Sequence, residues 1–390
     1  MRRANVTVVM GTRPEAIKLA PVVAAIQARG ELAARIIVTG QHRALIDGVL
    51  AHFDLRPHLD LDLMQPGQGT GDLAARVMMG VGEVLERERA EMVIVQGDTG
   101  SALGGALAGF HAAVPVAHVE AGLRTGDLAS PFPEEGNRRV IGQVASLHFA
   151  PTTQARAALR REGIAAHAIE VTGNTGIDAL LAVDARVRGN ARGAGLPDLA
   201  PGRPLVLVTT HRRENHGVPL MRICEAVERI ALHEDCAIVL PVHPNPAVAS
   251  VLRSRLGWVA GVHLVEPLAY DTFVWALRRA ALVLTDSGGV QEEAPALGTP
   301  VLVLRDTTER PEGVKAGVAM LVGTDPTRIA GAVRAVLRDA EVAKWMSRPL
   351  KLYGKGDAAP RIAARLRPSV EAQSPNPDRY PAIVSGPRAE

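Results

Sequence analysis

Short runs of β-branched residues alternate with longer Ala/Leu/Arg stretches along almost the whole chain, and this alternation narrows the fold more than any other feature. A strand that reads as an unbroken apolar run is buried on both faces, as happens where helices cover both sides of a parallel sheet. In the first half, VTVVM (6–10) leads into PEAIKLAPVVAAIQAR, a helix with Pro14 near its first turn. RIIVTG (35–40), MVIVQ (92–96), VPVAHV (114–119) and LHFAPT (147–152) supply further strands, and helices are expected near 43–53 and 71–90. The second half repeats the plan with PLVLVTT (204–210), AIVLPV (237–242), VHLVEP (262–267), ALVLTD (281–286) and TPVLVL (299–304). The pattern predicts an α/β fold of two doubly wound domains whose strand ends face each other across a cleft.

At 390 residues the chain is long enough for two such domains, with the junction expected near VTGNTGIDA (171–179). The polar, Gly- and Pro-rich segment 184–203 reads as a loop, and 367–390 as a disordered tail. With 47% hydrophobic but only 3% aromatic residues, the core must be built from Ala, Val, Leu and Ile. A net charge of +3, with no basic run interleaved with aromatics, argues against a nucleic-acid partner. Cys224 and Cys236 lack the spacing of a metal site or a disulfide framework, which points to a reducing cytoplasm. The N-terminal apolar run stops at Gly11 and reads as a first strand rather than a signal peptide, and no segment approaches the roughly 20 apolar residues of a membrane span.

Three carboxylates fall close together in sequence: Asp98 in QGDT and Glu120 in HVEAGLRT closely follow apolar runs, and Glu134 lies in PEEGNR. Ligands of open α/β sheets bind beyond the carboxyl ends of strands, so Asp98 and Glu120 should meet in one cleft with Glu134 on the loop beyond. Several acids there suit proton transfer. Arg13 and Lys18, at the turn and first helical turns after the first strand, mark an anion site; the plainer reading is two solvated cations. In the second half a strand runs into Ser287-Gly288-Gly289 and a helix, a turn whose backbone N–H groups can approach phosphate, with Glu293 one turn on to accept from a ribose diol. His211, with Arg212 and Arg213, follows one strand; His243, between prolines, follows another; Arg310 lies on the loop after the last. No GxxxxGK[ST], opening GxGxxG or HExxH occurs, so neither a cofactor nor a metal is expected.

Taken in order, GTRPEAIK, QGDT, HVEAGLRT, PEEGNR, HRREN, PVHPNP and TDSGGVQEEAPALGTPVLVLRDTTERPE resemble the non-hydrolysing UDP-N-acetylglucosamine 2-epimerases of bacteria, over about residues 5–365. The resemblance implies two Rossmann-like domains in the GT-B arrangement, 1–172 and a UDP-binding 173–350, with a helix over 351–366 crossing back to the first domain, and a homodimer. It further implies catalytic or substrate roles for Arg13, Lys18, Asp98, Glu120, Glu134 and His211. Phe273, Ser287, Gly288 and Gly289 would contact uridine and diphosphate, Glu293 the ribose, and Arg310 the substrate. Leu268 stands where relatives carry Gln.

The implied reaction is elimination of UDP to 2-acetamidoglucal and re-addition to give UDP-N-acetylmannosamine. The resemblance also implies an effector site at Gln41, Glu134, Arg212 and His243. Ala44 and Gly67 replace polar residues there, so effector activation should be weak or altered. Alternatives are a GT-B glycosyltransferase, which would not labilise the C2 proton; a hydrolysing relative; an epimerase for a related UDP-acetamido sugar; and a nucleotide-sugar-binding regulator without turnover.

Overall fold

The computed structural model describes residues 3–40, 43–65, 67–189, 195–198, 200, 202–210 and 212–372, without the side chains of 43–45, 213 and 367–372. Among the described residues thirteen strands form two sheets, parallel throughout. The first holds β1 (Ala4–Met10), β2 (Leu32–Val38), β3 (Leu59–Asp60), β4 (Met92–Gln96), β5 (Val116–Val119), β6 (Leu147–Ala150) and β7 (Ile169–Val171) in the order β3-β2-β1-β4-β5-β6-β7. The second holds β8 (Leu205–Thr209), β9 (Ala237–Pro241), β10 (Val262–Val265), β11 (Ala280–Thr285), β12 (Val301–Val303) and β13 (Ala319–Leu321) in the order β10-β9-β8-β11-β12-β13. Both orders reverse once, between β1 and β4 and between β8 and β11, as in Rossmann-like doubly wound sheets. Two such domains make the GT-B arrangement.

The central strands are buried along their whole length, polar members included: all five residues of β4 are buried, as are all four of β5 and of β6. Val206, Val208, Ile238, Leu240, Leu282 and Leu284 share one core beneath helix Val218–His233. Among the described residues no helix is long and apolar enough to cross a membrane. The strands missing from the sequence reading are β3, β7 and β13, of two or three residues, too short to show any period.

Two expected boundaries move. Helix Thr175–Val187 runs into the segment read as a loop from 184, because Leu180, Val183 and Val187 keep its apolar face buried. The C-terminal helix, expected over 351–366, spans Ala358–Ala372, so 367–372 are helical rather than tail; residues 373–390 lie outside the described residues. Ala359, Ile362, Ala363 and Leu366 of this helix join the core of helix Arg13–Arg29 and the first sheet. Asp178 receives the helix start: its carboxylate accepts from the N–H groups of Ala358 at 3.3 Å and Ala359 at 2.8 Å. A buried acceptor for orphan helix donors contributes about 1 kcal/mol. Asp178→Ala should lower the melting temperature by a few degrees, about 2–4 °C per kcal/mol in a chain this long, and Asp178→Asn by less; calorimetry gives the comparison.

Candidate active site

Both reversals of strand order open crevices, and the chemistry-bearing residues lie at them. Past β1 and β4 the loops carry Gly11 and Gly97-Asp98-Thr99. A Cβ on Gly11 would fall 1.9 Å from Ser101 Oγ, so only glycine lets helix Gly100–His111 start this close to β1. Glu15 ties the two loops together from below: it accepts from Gly11 N–H at 3.0 Å and from Thr99 Oγ1 at 2.7 Å. Burial pushes its carboxyl up to about 7, with those hydrogen bonds pulling the other way. His118 on β5 holds the same turn through Nε2, 2.7 Å from the Gly97 carbonyl. Burial drives His118 down to about 3, so the ring is neutral and its Nε2–H donates to that carbonyl.

Glu120 follows β5 with φ +64°, a left-handed conformation that costs a non-glycine residue about 1–2 kcal/mol. Its carboxylate is clamped from three sides. Lys18 touches Oε2, Gln96 Nε2 donates to Oε2 at 2.7 Å, and Arg310 Nη2, from the second domain, donates to Oε1 at 3.1 Å. Burial works to raise this carboxyl, but Lys18 and Arg310 outweigh it and hold it below the ordinary carboxylate range.

Arg310 meets two further carboxylates. Nε donates to Glu292 Oε1 at 2.5 Å and Nη1 to Glu309 Oε1 at 2.5 Å, while Asn174 holds the other oxygen of Glu292. Glu309 also meets Arg305 at 2.8 Å, Arg212 at 3.6 Å and Arg138 at 3.9 Å. Arg138 in turn pairs with Asp98, whose backbone carbonyl accepts from Asn137 Nδ2 at 2.7 Å. A continuous line of charge thus runs Glu120–Arg310–Glu309–Arg138–Asp98 across the two domains.

At the second reversal, Asp286 bridges β8 and β11 by accepting from Thr210 Oγ1, Arg212 N–H and Asn215 Nδ2 within 3.1 Å. Ser287 then opens helix Gly288–Leu297 without capping it through its side chain. Arg310 lies against this first turn: a Cβ on Gly288 would sit 2.4 Å from Arg310 Nη1, whereas Gly289 has only Ser287 Oγ nearby, at 4.0 Å. Gly288 is therefore needed for the arginine, and the helix N-terminus and the guanidinium attract an anion to one place. Glu293 accepts from Tyr270 OH at 2.9 Å, and burial pushes its carboxyl up to about 7. Arg13 Nη2 reaches across the domains to the Leu268 carbonyl at 2.8 Å, a contact indifferent to the side chain at 268. Phe273 is half-buried on helix Tyr270–Arg279.

Of the remaining candidates, Glu134 is not on a loop: it is the first residue of helix Glu134–Val144, and its Oε2 is buried without a hydrogen-bond partner among the described residues. His211 and Gln41 lie outside the described residues. Arg212 joins the Glu309 cluster, and His243 Nδ1 accepts from Asn245 N–H at 3.2 Å. Gly67 has φ +74°, a left-handed conformation that favours glycine. Glu15, Gln96, Arg138, Asn174, Glu292 and Glu309 went unremarked in the sequence although each lies within or beside a quoted motif. The partners that place them at the site are 18 to 171 positions away, so no local spacing singles them out.

Fold and cleft together define a GT-B-type α/β protein with carboxylates of one domain set against arginines and a helix N-terminus of the other. The family model described as UDP-N-acetylglucosamine 2-epimerase matches residues 24–367. The chain is 47% identical over 369 residues to the UDP-N-acetylglucosamine 2-epimerase of Escherichia coli K12, covering 93% of this chain and 98% of that protein. It is 42% identical over 381 residues to that of Bacillus subtilis 168, covering 97% and 99%. The crystal structure of UDP-GlcNAc 2-epimerase from Neisseria meningitidis bound to UDP-GlcNAc superposes with a TM-score of 0.91 at 38% identity, over 93% of this chain and all of that one. The chain belongs to the UDP-N-acetylglucosamine 2-epimerase family.

Glu15 gives a test of the site's electrostatics. Its folded value of about 7 lies above the ordinary 4.5, so the folded state binds the extra proton between these values. Its contribution to stability is full below about pH 4.5 and is lost as pH rises through 7. Glu15→Gln removes that loss. Denaturant titration should find the variant gaining on the wild type by up to about 3 kcal/mol between pH 5 and pH 8.5; a difference independent of pH would refute the assignment.

Proposed function

We propose that the chain inverts C2 of UDP-N-acetylglucosamine to give UDP-N-acetylmannosamine, reversibly, in the cleft between its two sheets. One observation carries the reading. Arg310 lies on the first turn of helix Gly288–Leu297 and reaches Glu120 of the other domain, so an anion cradle abuts a set of carboxylates. That juxtaposition is what a sugar diphosphate needs if its leaving group and its acidified proton are one bond apart. The relatives named above are epimerases of this sugar nucleotide, and one is bound to it.

In this reading the diphosphate sits at Ser287, Gly288 and Gly289 with Arg13, Arg310 and His211 around it, uridine against Phe273, and the ribose diol at Glu293, displacing Tyr270. As the C1–O bond breaks toward UDP, positive charge grows at C1 and the C2–H bond weakens. A carboxylate takes the proton, the C–H electrons form the C1=C2 bond, and 2-acetamidoglucal and UDP result. A second acid then protonates C2 from the opposite face while UDP oxygen re-forms the bond to C1. Two faces require two acid/base groups, and Asp98, Glu120 and Glu134 are the candidates, with Lys18 holding Glu120. The working form we propose is a cytoplasmic homodimer. Gln41, Glu134, Arg212 and His243 form a weakened effector site, because Gly67 and Ala44 supply no polar contact.

Incubation with UDP-N-acetylglucosamine in D₂O should introduce deuterium at C2 and build a two-sugar mixture visible by NMR. A glycosyltransferase would leave C2 protonated, so the absence of label would sink the proposal. Asp98→Asn, Glu120→Gln and Glu134→Gln should each slow turnover by roughly 10²-fold or more. Near-full activity in all three would remove the acids from the mechanism.

A further inference from the structure

We propose that Glu309 is the positioning residue of the diphosphate site, the standing counter-ion that keeps Arg138, Arg212, Arg305 and Arg310 convergent before an anion arrives. The inference rests on the function proposed above. Glu309 lies between β12 and β13 with a fully buried side chain. Its Oε1 meets Arg310 Nη1 at 2.5 Å, Arg212 Nη2 at 3.6 Å and Arg138 Nη2 at 3.9 Å, and its Oε2 meets Arg305 Nη1 at 2.8 Å. Burial works against its ionisation, yet Arg310, Arg212, Arg305 and Arg138 hold it well below the carboxylate range. The four surrounding guanidinium groups therefore favour its anionic form.

Three of these arginines have other carboxylates. Arg310 has Glu292 and Glu120, Arg138 has Asp98 and Glu135, and Arg305 has Glu214. Among the described residues Glu309 is the carboxylate that pairs with all four, and it links Arg138, which holds Asp98 in the first domain, to Arg310, which lies against the helix turn of the second. Like charges repel, so four guanidinium groups stay convergent only around a common anion. Removing the carboxylate has two effects of opposite sign. The cluster becomes more positive, which favours an incoming diphosphate; its members also spread, which misplaces Arg310 and, through Arg138, Asp98. A merely structural residue would lower binding and turnover together.

The test compares full-length wild type, Glu309→Gln and Glu309→Asp for UDP binding by titration calorimetry and for epimerisation rate. We expect Glu309→Gln to bind UDP as tightly as wild type or up to about tenfold tighter, with a steeper loss of affinity in salt. Its kcat should fall by about 10²-fold, and Glu309→Asp should restore part of that rate. Parallel loss of UDP affinity and kcat, or values for both near wild type, would overturn the assignment. If Glu309→Gln does not fold, Glu309→Asp decides: a kcat about tenfold lower with UDP affinity within about threefold supports it, and loss of UDP affinity rejects it. A wild-type protein that neither binds UDP nor exchanges C2 would refute the underlying function, whatever the variants do.

Discussion

The guanidinium of Arg310 is the joint on which the site depends. Its three nitrogens meet three carboxylates, Glu292 and Glu309 in its own domain and Glu120 in the other. Burying so many charges is not an economical way to stabilise a fold, because desolvation offsets most of the Coulomb gain. Removing one partner, however, leaves an uncompensated buried charge. The cluster is therefore weak support for the fold and strong constraint on geometry, as a site for an anionic ligand requires.

Backbone choices around the joint follow from it. Gly288 leaves room for the guanidinium, and Gly11 lets helix Gly100–His111 close on β1 so that Glu15 can tie the loop bearing Arg13 to the loop bearing Asp98. Glu120 is held in a left-handed conformation by Lys18, Gln96 and Arg310 together. Strain at one residue persists where surrounding contacts over-determine it, and here those contacts come from helix Arg13–Arg29, from β4 and from the second domain.

The architecture was legible because parallel strands covered by helices on both sides leave mostly apolar runs, and the sequence shows such runs for all described strands except β3, β7 and β13. What escaped was short or lacked a local pattern: β3, β7 and β13 have too few residues for a period, and the last part of the C-terminal helix, 367–372, carries a proline and few apolar residues and so reads as tail. At the site, Asp98, Glu120, Ser287 and Arg310 stood out because strand ends advertise themselves. Arg138 and Glu309 did not, since each reads as one more charge on a polar segment. Their meaning comes from partners in the opposite domain, which a local pattern cannot encode.

The joint also couples the two halves of the proposed reaction. While Arg310 and Lys18 both press on Glu120, its carboxylate is a poor proton acceptor. Arg310 lies equally against the turn where a diphosphate would sit, so ligand and Glu120 compete for one guanidinium. In the proposed reaction, negative charge building on the departing diphosphate would strengthen its claim on Arg310. Glu120 would then keep Lys18 but share Arg310, and its carboxylate would become more basic at the stage when the C2 proton becomes acidic.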